Sequence, residues 1–293
     1  MSRQRLRSLA ACLAVALIAS GAAAAPAPVI EGLDHAPVAV NDLDKAAADF
    51  ERLGFVIKPG RAHDDGISNR HVKFPNGGGI ELITAHDPTD DLARQYADWL
   101  KGGDGPSLWS LYGPDLPALA HALTAAGYQA TNQGDVVSAP AAEATIRLFF
   151  ADRLRSPTDG PNYWAHPNTA YKLAAVWLAA DPGKMRLLLK LGARRGGAPA
   201  CAPFDSHAAA YVLPVEGDAV MLTSRIMRTP SHTMVGLSVL VRSLAAARRV
   251  LTANGVPVIE PKACGRHSLW IAPEQAHGVW LELSDRRQGA PER

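Results

Sequence analysis

One phrase recurs along this chain and constrains it more than any single motif: a short apolar strand, a helix opening with Leu, a Gly, then further strands. Its clearest copy is Leu33-Asp34-His35-Ala36-Pro37-Val38-Ala39-Val40, then Leu43 to Leu53, then Gly54-Phe55-Val56-Ile57. Another copy reads Val235 to Val241, then Leu244 to Leu251, then Gly255-Val256-Pro257-Val258. Each copy closes on a similar strand, Gly79-Ile80-Glu81-Leu82-Ile83 and Val279-Trp280-Leu281-Glu282-Leu283, so one carboxylate falls in the same place of each. A repeated supersecondary unit dictates architecture, because no unit can bury its apolar face alone.

Two weaker copies lie between them. One runs from Leu108 to Tyr112, has Asp115 as a helix cap and Leu116, Leu119 and Leu123 on a helix face, and continues through Gly127 to a strand over 146–150. The other starts with a strand over 173–179, has a helix over 182–191 ending at Gly192, and adds strands near 208–213 and 219–227, after a loop at 194–203 rich in Gly and Pro. The first copy predicts a helix over 43–53 capped by Asp42, and strands over 33–40, 55–58, 69–74 and 79–84. The last copy ends in strands at about 267–272 and 279–284. Four βαβββ units predict an α+β fold in which units pair edge to edge into cup-shaped, mixed, eight-stranded sheets with helices outside. The division expected is a signal peptide over 1–25, units one and two over 30–168, units three and four over 169–286, and a tail over 287–293.

The start of the chain reads differently. Arg3, Arg5 and Arg7 precede an apolar run from Leu9 to Ile18 and small residues at Ala22 to Ala25, the pattern of a secretory signal peptide cut near Ala24. The run is short for a membrane span, which wants about 20 apolar residues. The expectation is a periplasmic or secreted protein with no membrane attachment after cleavage. Such a protein would retain Cys201 and Cys264, whose pairing or freedom the sequence leaves open. A net charge of +2 without a dense Lys/Arg block gives no nucleic-acid footprint. P-loop, Gly-x-Ser-x-Gly and His-Glu-x-x-His motifs are absent from the sequence.

The stretch Leu33 to Leu43 together with Glu81 resembles the vicinal oxygen chelate superfamily, which includes glyoxalase I, extradiol dioxygenases and bleomycin-resistance proteins. More narrowly, Gly60-Arg61-Ala62-His63 through Ser68-Asn69-Arg70, with Gly79 to Ile83 and the loop Tyr163 to Asn168, is similar to the glyoxalase-like domain family. Members that use a metal take a His from the first strand and a Glu from the fourth strand of each paired unit. The resemblance therefore implies a divalent metal (Fe, Mn, Ni, Co or Zn) held by His35, Glu81 and Glu282, with the two carboxylates catalytic. It also implies a small oxygenated substrate handled by lyase, isomerase or dioxygenase chemistry, and pocket roles for His63, Asn69, His71, His166 and His267.

This chain departs from the family pattern at one ligand: Gly236 stands opposite His35 in the last unit. His71 and His267 form a symmetric pair on the third strands, and either one replaces the missing ligand or both are solvated strand residues; His232 would need a register shift. Counting Glu282 as a ligand assumes that units one and four pair. The alternative function is a metal-free small-molecule-binding protein of the bleomycin-resistance type.

Overall fold

A computed structural model describes residues 28–153, 156–196, 202–204, 208–224, 233–261 and 267–287. The signal-peptide segment, Cys201, Cys264 and His232 lie outside the described residues. Among the described residues no helix is long and apolar enough to cross a membrane.

The first unit comprises β1 (Gly32–Leu33), β2 (His35–Ala39), α1 (Leu43–Arg52), β3 (Lys58–Ala62), β4 (Ile67–Lys73) and β5 (Gly79–Ala85). Asp42 caps α1 by accepting from the Lys45 amide at 2.9 Å, and Gly54 leaves the helix at φ +85°, a conformation glycine adopts without strain. Ala46 and Phe50 of α1 are fully buried against Val38, Val72, Ile80 and Leu82 on the outer face of the strands. Burying a Phe of this kind stabilises by about 1.5–3 kcal/mol. The second unit adds β7 (Trp109–Tyr112), α3 (Leu116–Ala125), β8 (Thr131–Asn132), β9 (Val136–Ser138), α4 (Pro140–Ile146) and β10 (Leu148–Ala151), preceded by α2 (Asp91–Leu100) and β6 (Gly105–Pro106).

Two five-stranded sheets result, ordered β3-β4-β5-β2-β6 and β1-β7-β10-β9-β8. The segment 32–39 stitches them together. Leu33 pairs with Leu111 and Ala39 with Gly105, while between them the Asp34 amide donates to the Ser110 carbonyl and the Ser107 amide to the Pro37 carbonyl. Units one and two therefore pair through their first strands.

Units three and four do the same in one seven-stranded sheet, β12-β13-β14-β11-β15-β17-β16. Its strands are β11 (Ala170–Leu178), β12 (Arg194–Arg195), β13 (Ala209–Val212), β14 (Ala219–Leu222), β15 (Met234–Val241), β16 (Ser268–Ile271) and β17 (Trp280–Ser284). α6 (Arg186–Lys190) follows β11, and α7 (Leu244–Ala253) follows β15 with Ser243 as its cap. The strand expected after Gly255 is reduced to a bridge between Ile259 and Trp270, which leaves seven strands rather than eight among the described residues. The pairing of units one and four is thereby corrected: β5 and β17 lie in different sheets.

Candidate functional site

Residues directly opposite one another in a ladder point to the same side of the sheet. Across β3, β4, β5 and β2 one row reads Lys58, His71, Glu81, Pro37; the next reads Lys73, Gly79, His35. A third row, Asn69, Ile83 and Ala39, lies on the other side of the first. These side chains form the inner face, opposite α1. The alternating residues Val38, Val72, Ile80 and Leu82 are the core on the helix side.

His35 sits at the centre of a polar chain. Its Nδ1 meets the Asp34 carboxylate at 2.5 Å, and its Nε2 lies 3.5 Å from Glu81 Oε2. Asn69 donates through Nδ2 to the other Glu81 oxygen at 2.7 Å and accepts from the Arg61 amide through Oδ1. Ser110 lies against Asp34 and His35, and the Phe149 ring meets the imidazole edge-on with centroids 5.3 Å apart. The His35 side chain keeps 29% of its surface exposed and Glu81 12%, so the pair is sheltered yet reachable.

The electrostatics follow from this packing. Burial alone would lower the His35 pKa, but the Asp34 and Glu81 carboxylates raise it to about 10. Burial opposes ionisation of Glu81 too, yet His35 and Asn69 hold it at about 2. His71, directly opposite Glu81, is pushed by burial down to about 4 and is neutral. Behind Asp34, Arg153 is bonded to Glu216 of unit three and Lys172 reaches Glu216 at 2.5 Å, so a buried chain of alternating charge joins the two halves of the molecule.

α2, which the repeat reading passed over, lies on the inner face. Its Ala93, Tyr96, Trp99 and Leu100 pack on Ala39, Ile67, Ile83 and Ala85 and fill one end of the cup. Burial, with Glu81 nearby, pushes the Tyr96 phenol well above its usual range. At the other end Asp159 bonds Lys58 at 2.5 Å and stands 3.4 Å from Lys73. A separate open groove of about 520 Å³ lies toward the start of α1, lined by Asn41, Asp44, Arg61, Arg70 and Thr84; it shares only Asn69 with the polar chain.

The structure brings together His35, Glu81, Asn69 and His71. His63 pairs with Ile67 at the end of the β3–β4 hairpin, and its Nε2 is buried without a partner. Three other expectations are corrected. His166 is a structural anchor, accepting from the Val56 amide and donating to the Lys73 carbonyl between Phe55 and Phe74. His267 belongs to the seven-stranded half, where it is partly exposed and paired with Asp285 at 3.1 Å. Glu282 is fully buried on β17, accepts a hydrogen bond from Ser238, and cannot join His35 in one site.

This also decides whether the residues fit the implied metal. His35 Nε2 and Glu81 Oε2 supply two donors, with Asp34 and Asn69 orienting them as outer partners do at metal sites. Among the described residues no three His, Cys, Asp or Glu side chains converge to hold an ion. The unit-two half of the cup presents Leu108, packed on the α2 cluster, and Phe149, packed on His35. Two donors facing an apolar wall do not fit the family's set drawn from both paired units.

The sequence reading missed Asp34, Lys58, Lys73 and Asp159. Both lysines carried a legible signal, since they share the inner-face parity of His71 and Glu81; Asp159, from a distant loop, carried none.

The paired βαβββ units with a His–Glu floor define a vicinal oxygen chelate fold, and the comparisons agree. The glyoxalase-like domain family model matches residues 33–187, and the chain belongs to that family. Solved structures share the fold at low identity. The Mn(II)-bound glyoxalase from Novosphingobium aromaticivorans matches at a TM-score of 0.59 and 11% identity, over 89% of this chain and 84% of that one. The 2,3-dioxygenase LapB from Pseudomonas sp. KL28 matches at 0.58 and 14%, over 88% and 92%. A mutant 4-hydroxymandelate synthase from Streptomyces coelicolor matches at 0.57 and 14%, over 90% and 94%. None of the curated protein sequences compared with the chain matches it.

Proposed function

We propose that this chain is an exported enzyme that rearranges or cleaves a small oxygenated molecule by proton transfer in the cup of units one and two. The observation that carries the reading is the continuous chain Asp34–His35–Glu81–Asn69 on a sheltered but accessible floor. Asp34 fixes Nδ1 and leaves the Nε2 proton of His35 to donate to a developing oxyanion, the electrostatic task a bound cation would otherwise perform. Glu81 is the base. In the resting state His35 holds its pKa low; once a substrate oxygen takes the Nε2–H, Glu81 loses that partner in a sheltered site and becomes more basic. Tyr96 and Phe149 border the site and exclude water. Lyase and isomerase chemistry need only these groups, whereas a dioxygenase needs a redox metal with more donors than the described residues of the cup present.

Export rests on the Arg-rich start, apolar run and Ala22–Ala25 cleavage pattern, and the N-terminal sequence of protein recovered from the periplasm checks it. The test of function is turnover of a panel of dicarbonyl and hydroxycarbonyl compounds by chelator-treated protein. Activity that survives chelation and vanishes in folded His35→Ala and Glu81→Gln is the expected result. Activity that returns only on adding Fe, Mn, Ni, Co or Zn would overturn the metal-free assignment. A second reading, sequestration of a small ligand without turnover, is favoured by the apolar wall of Leu108 and Phe149; binding that survives both substitutions would select it.

A further inference from the structure

We infer that the cup takes a small oxo- or hydroxycarboxylate, whose carboxylate binds Lys58 and Lys73 in the place now held by Asp159. The inference rests on the site assigned above and names the class of molecule that enters it.

Lys58 and Lys73 stand on the inner face in the rows of Glu81 and His35. Their side chains are only 9% and 15% exposed, unusual for a residue whose ammonium ordinarily reaches water. Among the described residues the two ammoniums share a single carboxylate, Asp159, with Lys73 donating also to the neutral Gly77 carbonyl at 3.3 Å, so the pair of lysines carries more positive charge than its carboxylate offsets. The aspartate is not part of the sheet. It lies on a local turn in which its own amide bonds the Ser156 carbonyl and its carboxylate accepts from the Ser156 amide. From there the chain continues into α5 (Pro161–Trp164), where Tyr163 faces Lys58 and the buried Trp164 indole N–H has no partner.

A carboxylate delivered by a turn onto two sheltered lysines has the chemistry of a substrate carboxylate, and exchanging one for the other leaves the local charge unchanged. The spacing sets the size of the ligand. Lys73 is separated from His35 by Gly79 alone, about two strand spacings or roughly 10 Å between backbones, and both side chains reach inward. On this inference a short ligand places its carboxylate on the lysines and its adjacent oxygen toward His35 and Glu81.

The test compares lactate with lactamide, and pyruvate with its amide, by NMR titration of the full mature chain while following His35 and Glu81. The expected result is that each acid binds about tenfold tighter than its amide, as charge-assisted bonds to two ammoniums require. Asp159→Asn should tighten the acids by a further factor of about ten and leave the amides unchanged, because the internal competitor is gone. Lys73→Gln should erase the advantage of the acids. Equal binding of acid and amide in the wild type and in these variants, with His35 still responding, would overturn the carboxylate subsite and leave the site itself standing. If neither acids nor amides shift His35 or Glu81 at millimolar concentrations, the site assignment falls and this inference with it.

Discussion

The β2, β4 and β5 ladder of the first half and the β15, β16 and β17 ladder of the second share one register, yet their floors are chemically opposite. Gly236 occupies the place of His35, Trp270 that of His71, and Trp280 that of Gly79. Glu81 and Glu282 are equivalent, but the first keeps company with two imidazoles and two lysines, while the second lies at 0% exposure beside Ser238, which also accepts from the Trp177 indole. Trp177, Trp270, Trp280 and Phe204 fill the second cup as edge-to-face and tilted rings 5.1–6.5 Å apart. A Cβ at Gly236 would lie 3.0 Å from the Trp280 carbonyl oxygen and 3.1 Å from Trp280 Cβ, so the neighbouring strand crowds the place where a histidine would start. The repeat thus preserves where a carboxylate sits, and the neighbours decide whether it lies on a reachable polar floor or inside a core.

The comparison can be broken at several points. Trp270→Ala should cost about 3–5 kcal/mol of stability and leave the chemistry of the first cup intact, read by denaturant unfolding beside turnover; a small cost would show that the second floor is not core. Glu81→Gln should lower turnover by about 10²–10⁴, the usual weight of a general base, whereas Glu282→Gln should leave it near the wild-type value in steady-state assays. His35→Ala removes the cation that Asp34 and Glu81 share and leaves Asp34 only the more distant Arg153; discounted for partial exposure, a loss of about 2–3 kcal/mol is expected in chemical denaturation.

Stability against pH sharpens the contrast further. The folded value of His35, about 10, lies above its ordinary 6.5, so its contribution is complete below 6.5 and is lost as pH rises through 10. Glu81, at about 2 against 4.5, contributes above 4.5 and loses that contribution as pH falls through 2. His71, at about 4 against 6.5, contributes above 6.5 and loses it as pH falls through 4. His71→Gln should flatten the decline between 6.5 and 4 in unfolding midpoints measured across pH. The smallest effect belongs to the rim of the second half, where His267→Ala should change stability by no more than about 0.5 kcal/mol, since its pair with Asp285 is half in water.

Much of this was legible from residue pattern. The recurring strand–helix–Gly phrase and the Asp42 and Asp115 caps marked the units, and the matching places of Glu81 and Glu282 marked equivalent strands. Partner choice was not legible, because both first strands have apolar edges and only the ladder shows that β2 runs beside β6 and β7 beside β1. Glu282 was misplaced for that reason. His166 was misread because its role depends on backbone groups of Val56 and Lys73, far away in sequence. α2 carried a helical stripe, Ala93, Tyr96, Trp99 and Leu100, but it lay between units and broke the repeat.

The central claim is that the first cup holds a charged, proton-bearing floor where the second holds a core. Imidazole ¹⁵N spectra recorded from pH 4 to 10 test it most directly. His35 should stay doubly protonated to near pH 10 while His71, one strand away from Glu81, stays neutral down to about 4. A His35 that loses its proton near the ordinary 6.5 would contradict the account.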